Sequence, residues 1–214
     1  MQTLFIEAQK KLELNREKLR ELEKTLPSTI YITYSIQFKS LALEVKKELE
    51  KSEKVKIFGF SQILGCSEIK TGASAILLIG EARFHAINLS TFSGKEVYVF
   101  DNYATSKISK EEIDSLEKKE KGKYLKFLSS LEVGIIISSK SGQENLKLGE
   151  EIKLKLEKQG KKAFLFLADN INPAELENFT LPIYVNTACP GLELDSSKII
   201  NYRTIKEYSK CQAN

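Results

Sequence analysis

The 214-residue chain carries 33 Lys and Arg against 29 Asp and Glu, a formal net charge of +4, with 42% hydrophobic and 29% charged residues. That length can bury a sizeable core in one domain or two small ones. The near balance of charge gives no dominant basic field for direct nucleic-acid binding, and no apolar run approaches the ~18 residues of a membrane span. No basic-then-apolar leader opens the sequence, so a cytoplasmic location is the default expectation. The Lys/Glu runs from Lys11 to Lys24 and from Lys110 to Lys126 alternate in sign, as solvated helix faces do.

In chain order, Thr3 to Ala8 reads as a brief strand and Leu14 to Leu26 as a helix that Pro27-Ser28 ends. The β-branched and aromatic run Ile30 to Ser35 predicts a strand, followed by Gln37-Phe38 and a helix to about Glu50. Val55 to Phe58 is the next strand. Ala75 to Ile79 (A-I-L-L-I) is an unbroken apolar run, the pattern of a strand buried on both faces. Glu96 to Phe100 is another strand, with Asp101-Asn102-Tyr103 at its exit. Ser109, with Glu111 and Glu112 in the first turn, predicts the start of a long helix reaching about Ser130.

A second series follows. Val133 to Ile137 is a strand with the exit loop Ser138 to Gln143, and Glu144 to Gln159 is a helix that Gly160 caps. Lys162 to Leu167 is a strand, Asn172-Pro173 starts a short helix, and the strand Ile183 to Thr187 runs into Ala188-Cys189-Pro190-Gly191. Strands alternating with helices predict two small α/β domains with parallel, Rossmann-like sheets and flanking helices, at residues 1–128 and 129–214.

Open α/β sheets place their chemistry at the carboxyl ends of the strands. Around Ala75 to Ile79 that region holds Cys66, Arg83 and His85, the only histidine in the chain. Three cysteines in a reducing compartment point to thiols or metal ligands rather than disulfides. Cys66 and Cys189 flank predicted strands in turns containing Gly or Pro, but they do not have the close spacing of a zinc ribbon, so spacing alone defines no metal site. Thiolates are also the usual ligands of iron–sulfur clusters. Cys211 lies in the polar tail, where surface thiols are common, and is not expected to be a ligand.

The motifs S-I-Q-F (Ser35–Phe38), I-L-G-C-S (Ile63–Ser67), G-E-A-R-F-H (Gly80–His85), F-D (Phe100-Asp101), S-S-K-S-G-Q (Ser138–Gln143) and N-T-A-C-P (Asn186–Pro190) occur in one order along nearly the whole chain. Together they resemble the archaeal diphthamide synthase family, the 2-(3-amino-3-carboxypropyl)histidine synthases. Three local departures stand out: Ala82 where the family usually has Gly, Asn102 where it has Pro, and Gly191 where it has Arg. Members of that family resemble three similar α/β domains, each giving one cysteine to a 4Fe–4S cluster. This chain matches the second and third, its opening T-L-F-I-E-A resembles the tail of the first, and the first domain is not matched.

The resemblance implies transfer of the 3-amino-3-carboxypropyl group from S-adenosylmethionine to a histidine of elongation factor 2 by radical chemistry at the cluster. It implies Cys66 and Cys189 as metal ligands facing one cleft. Arg83 is the leading candidate to meet the methionine carboxylate, through a planar bidentate fork, and Lys140 is the second. Gln37 and Gln143 are candidates for hydrogen bonds at strand exits, and His85 either braces its loop or contacts substrate. No residue is assigned as a catalytic acid or base. The expected partners are elongation factor 2 and a first-domain polypeptide or homologous subunit, with a dimer possible in principle. Two alternatives stand beside this reading: a non-catalytic subunit that binds a partner or supports electron transfer, and a quinolinate synthase-like enzyme, which the local motifs fit poorly.

Overall fold

In a computed structural model, which describes residues 6–64, 68–81, 83–140, 144–193 and 196–211, the chain divides into two α/β units, residues 1–113 and 114–214. In the first unit α1 (Arg16–Glu23) starts at Asn15, whose side chain accepts a hydrogen bond from the Lys18 amide. The strand β1 (Thr29–Tyr34) leads through a 3₁₀ turn at Ile36–Phe38 into α2 (Lys39–Ser52), then β2 (Lys56–Gln62). After β3 (Ala75–Ile79) come α3 (Arg83–Ser93), β4 (Glu96–Phe100), β5 (Thr105–Lys107) and α4 (Lys110–Ser129). The sheet order is β2-β1-β3-β4-β5, with only β5 antiparallel to its neighbour.

The apolar run of β3 follows from this position. Every residue in it is buried, because helices cover both faces of the central strands. Side chains alternate between the faces. Leu77 and Ile79 pack with α1 and α2 through Leu19, Leu22, Leu41 and Val45, while Ile76 and Leu78 pack with α3 through Ala86 and Leu89. The chain moves outward from β1 to β2 through α2, and in the opposite direction from β3 to β4 through α3. The order therefore reverses between β1 and β3, which opens a crevice at their carboxyl ends.

The second unit repeats the plan. Its strands β6 (Glu132–Ser138), β7 (Lys162–Ala168), β8 (Tyr184–Asn186) and β9 (Ile199–Asn201) pair in the order β7-β6-β8-β9, all parallel. This matches the order of the first four strands in the first unit. Helix α5 (Leu146–Lys158) joins β6 to β7, the short α6 (Pro173–Leu176) precedes β8, and α7 (Tyr202–Cys211) follows β9. Tyr124 and Phe127 of α4 pack with Ile135, Ile152 and Ile205, so most of α4 belongs to the second core. The boundary accordingly falls within α4, earlier than the break expected after residue 128.

Several sequence signals have direct counterparts. Ser109 and Glu112 form a reciprocal capping box: the Glu112 amide donates to Ser109 Oγ at 3.2 Å, and the Ser109 amide to Glu112 Oε2 at 3.1 Å. Gly160 stands at φ +80 just beyond α5, with the amides of Gly160 and Lys161 returning to Glu157 and Leu156. Tyrosine rings nest on strand glycines in both units. A Cβ on Gly59 would lie 2.2 Å from the Tyr31 ring, and one on Gly134 2.2 Å from the Tyr184 ring.

Other expectations differ from the structure. Ile6 to Ala8 form no strand, and Thr3 to Phe5 lie outside the described residues. The segment from Ile6 instead runs across the carboxyl ends of the strands. The Lys10 amide donates to the Gln37 carbonyl (2.8 Å), and Leu12 and Leu14 pack against the α1–α2 core. Asn102, after β4, holds this segment from both sides. Its Oδ1 accepts from the Asn15 amide at 2.8 Å, and its Nδ2 donates to the Glu13 carbonyl at 2.9 Å.

Asn102 is buried and stands at φ +85, a conformation closed to the proline that the related motif carries. Asn102→Pro should therefore destabilise the chain by about 4–5 kcal/mol, combining backbone conflict with two lost hydrogen bonds. Asn102→Gly keeps the conformation and should cost about 1–2 kcal/mol, the hydrogen-bond share alone. Urea unfolding of both variants checks the difference; equal losses would mean that the backbone angle contributes nothing.

Candidate functional site

The crevice of the first unit is a cavity of about 400 Å³, walled by Ser35, Gln37 and Phe38 after β1, Gln62 and Ile63 at the end of β2, and Glu81 and His85 after β3. The 3₁₀ turn carries Gln37 into it because Phe38, one residue on, is wholly buried and fixes the turn. Gly80 brings the two walls together. A Cβ there would meet Ser35 Oγ at 3.0 Å, and its φ of +155 is one that side-chain-bearing residues rarely adopt. At the rim, Lys10 Nζ pairs with Glu81 Oε1 at 2.6 Å and lies 4.9 Å from the centre of the Phe38 ring.

Gln37 and His85, two of the residues singled out in the sequence, thus share one cavity. Burial of the imidazole lowers the pKa of His85, so it is neutral at pH 7. Arg83 opens α3 but turns to Glu112: its Nε and Nη2 both reach Glu112 Oε1, at 3.0 and 2.5 Å. That pair is partly exposed, and the guanidinium holds the Glu112 carboxyl below its ordinary range. Asp101 organises a turn, accepting the amides of Tyr103 and Ala104 on Oδ1 at 2.9 and 2.7 Å. Cys66 lies outside the described residues.

In the second unit the corresponding strand exits carry Ser138–Lys140 and Thr187–Cys189. Ser138 is buried and its Oγ accepts the Lys140 amide, while the Lys140 side chain is exposed. Gln143 lies outside the described residues. Cys189 is a free, half-buried thiol in the loop between β8 and a 3₁₀ turn at Pro190–Glu193. Thr187 ties the loop to β6, its amide and Oγ1 both donating to the Ile136 carbonyl, at 3.0 and 2.8 Å. The side chain of Cys211 is outside the described set.

Sequence reasoning missed the amide pair beneath this loop. Asn186 Nδ2 donates to the Cys189 carbonyl at 2.8 Å and to Asn201 Oδ1 at 2.7 Å, while its Oδ1 accepts the Ala188 amide at 2.9 Å. Asn201 Nδ2 donates to the Pro190 carbonyl at 3.1 Å. The signal was present in Asn186, a polar residue ending an apolar strand within N-T-A-C-P. Asn201 sits on a strand of only three residues, too short to be expected from periodicity.

No group of three or more His, Cys, Asp or Glu side chains among the described residues is arranged to hold a metal ion. Among them, no helix is long and apolar enough to cross a membrane. The donor that is described, the Cys189 thiol at a strand exit, is chemically suited to iron.

Two doubly wound units of one topology, with a cavity at the first switch point and a braced cysteine at a strand exit of the second, define a tandem α/β protein of the strand-exit type. The family model described as "Putative diphthamide synthesis protein" matches residues 1–203, and the chain belongs to that family. It is 30% identical to the 2-(3-amino-3-carboxypropyl)histidine synthase of Pyrococcus horikoshii over 206 residues, covering 90% of this chain and 60% of the relative. It is also 30% identical to that of Methanocaldococcus jannaschii over 208 residues, covering 91% and 57%. The crystal structure of Dph2 from Pyrococcus horikoshii superposes with a TM-score of 0.77 at 29% identity, over 89% of this chain and 60% of that one. A second structure of that protein, with a 4Fe–4S cluster, gives the same TM-score over 59% of its length. The chain thus spans about 60% of the relatives it matches.

Proposed function

We propose that this chain supplies two α/β units of a 2-(3-amino-3-carboxypropyl)histidine synthase, a transferase of diphthamide biosynthesis. One observation carries the reading: a single fold match runs through both units to the structure of Pyrococcus horikoshii Dph2 with a 4Fe–4S cluster. Cys66 and Cys189 are the proposed cluster ligands in this chain. When bound, the cluster supplies the electron that cleaves S-adenosylmethionine.

The chain's own residues bind and orient. Gln37 and Gln143 offer both donors and acceptors to the substrate's polar groups. Arg83 binds the methionine carboxylate by exchanging it for Glu112, an exposed partner whose attraction water already screens. Lys140, exposed at the exit of β6, is the second cation. His85, neutral at pH 7, acts as a hydrogen-bonding group rather than a charge. The acceptor is a histidine of elongation factor 2 in the cytoplasm. The proposed assembly includes a polypeptide equivalent to the part of the relatives outside the match, and a dimer is one form it takes.

The test is anaerobic iron and sulfide analysis and S-adenosylmethionine cleavage, measured on the chain alone and with the remaining part of a relative supplied. Cluster formation and cleavage that rise on addition, with label transferred to elongation factor 2, are the expected result. Cluster formation without cleavage or transfer in either case would favour a subunit that binds a partner or supports electron transfer. No iron under any condition would remove both readings.

A further inference from the structure

The geometry points to Asn186 and Asn201 as positioning residues that fix the backbone of Cys189 before any metal arrives; its use toward a cluster rests on the function proposed above. Asn186 is 3% exposed and ends a strand whose other residues, Tyr184 and Val185, are wholly buried. A polar amide at such a place is costly unless its hydrogen-bonding capacity is met. It is met here, and by partners that all bear on one loop.

Asn186 Nδ2 reaches the Cys189 carbonyl, and its Oδ1 takes the Ala188 amide. Asn201, held by the second Nδ2 bond, reaches the Pro190 carbonyl. The three consecutive residues Ala188, Cys189 and Pro190 are each fixed by one of two side chains that lie beneath the loop. The Leu192 amide adds a second hydrogen bond to the Cys189 carbonyl at 3.1 Å. Among the described residues no hydrogen bond uses the sulfur, so the network sets the Cα position and leaves the thiol to a ligand. A metal centre loses affinity when the supporting shell of a ligand is loosened, commonly about 10–100-fold.

The parallel register makes the arrangement possible. Asn186 pairs with Asn201 across β8 and β9, so adjacent strands deliver both amides to the same end of the sheet. A packing role alone would favour apolar residues at these positions.

The test uses the full chain without metal and follows alkylation of Cys189 by iodoacetamide with site-resolved mass spectrometry, with Cys66 in the same molecules as the internal reference. Asn186→Ala and Asn201→Ala should each speed labelling of Cys189 relative to Cys66 by about fivefold, the population shift that one net hydrogen bond controls. Thr187→Val keeps the Thr187 amide bond that ties the loop to β6 and touches none of the bonds to Ala188, Cys189 and Pro190, so it should leave the ratio unchanged. Should the alanine variants fail to fold, Asn201→Ser decides, since it keeps a hydroxyl acceptor beside Asn186 and loses the amide donor to Pro190 without adding a charge next to Glu193. An unchanged ratio in the folded variants overturns the inference. Reconstitution with ferrous iron and sulfide separates this from the functional reading. Full cluster content in Cys189→Ser removes Cys189 as a ligand without touching the labelling result, whereas a raised labelling ratio with reduced iron in Asn186→Ala supports both.

Discussion

Cys189→Ser is expected to cut the iron and sulfide retained after anaerobic reconstitution by more than about tenfold, since changes merely in the shell around a ligand commonly cost 10–100-fold. The hydroxyl is nearly isosteric with the thiol but does not ionise near neutral pH, so it cannot replace a thiolate toward iron. Stability should barely change. The side chain is half-buried and no described hydrogen bond uses its sulfur, so thermal unfolding of the metal-free variant should overlay that of the parent. The combination separates a ligand from a structural thiol. Retained iron would exclude Cys189 as a ligand, and lost stability with retained iron would assign it to packing.

The second large effect is a pH dependence built into the second unit. Glu120 on α4 is pushed up to about 7, chiefly by burial, then by the nearby carboxylates of Glu193 and Glu207, with Glu117 adding a little. Burial also raises the Glu193 carboxyl, which is 4% exposed, while hydrogen bonding from Thr204 (Oγ1 to Oε2, 3.4 Å) and Asn201 offsets part of that; among the described residues Oε1 has no hydrogen-bond partner. Lys123 does not neutralise the pair fully. Its Nζ bonds the main-chain carbonyl of Glu193 at 2.5 Å, and burial lowers its own pKa.

In the unfolded chain Glu120 ionises near its ordinary value of 4.5, while in the folded chain it holds its proton to about 7. Stability from this group is therefore complete below 4.5, falls as pH rises between the two values, and levels off above about 7. The full loss is at most about 3 kcal/mol, and solvent at the partly exposed carboxyl reduces it. Glu120→Gln should flatten this part of the profile. In urea unfolding it should gain on the parent between pH 5 and pH 8 by up to about 3 kcal/mol. Parallel profiles would show that Glu120 is not held protonated.

Much of the fold was legible because the signals are local. The β3 run, the Ser109–Glu112 box and Gly160 each act within a few residues, and the structure places all three as their chemistry dictates. What could not be read depends on tertiary neighbours. Arg83 stands where a substrate cation was expected, yet its partner Glu112 lies 29 residues further on, brought near by the packing of the unit. Helix α3 was not expected, because its residues R-F-H-A-I-N-L-S-T-F-S mix apolar and polar types without a strong helical stripe. Only its position against β4 and the sheet face selects a helix there. β9 contributes three residues and Asn201, and its identity as a strand exists only through pairing with β8. The cysteine loop was legible as a place of chemistry, but the amides that hold it were not.

The nested tyrosines carry a consequence for how this chain can diverge. Adding one carbon at Gly59 or Gly134 puts it 2.2 Å from an aromatic ring, and neither ring sits on the same strand as its glycine. The Tyr184 ring is wholly buried and further tied by its hydroxyl to the Leu176 carbonyl at 2.8 Å, so it has nowhere to retreat. A lineage that changes the glycine first incurs a collision, whereas one that shrinks the tyrosine first passes through a cavity costing about 3–5 kcal/mol. Each path has an unstable intermediate, so Gly134 and Tyr184 should be inherited as a single character, replaced together or kept together. Positions 59 and 31 form a second such character in the other unit, with the more exposed ring of Tyr31 leaving it the looser of the two.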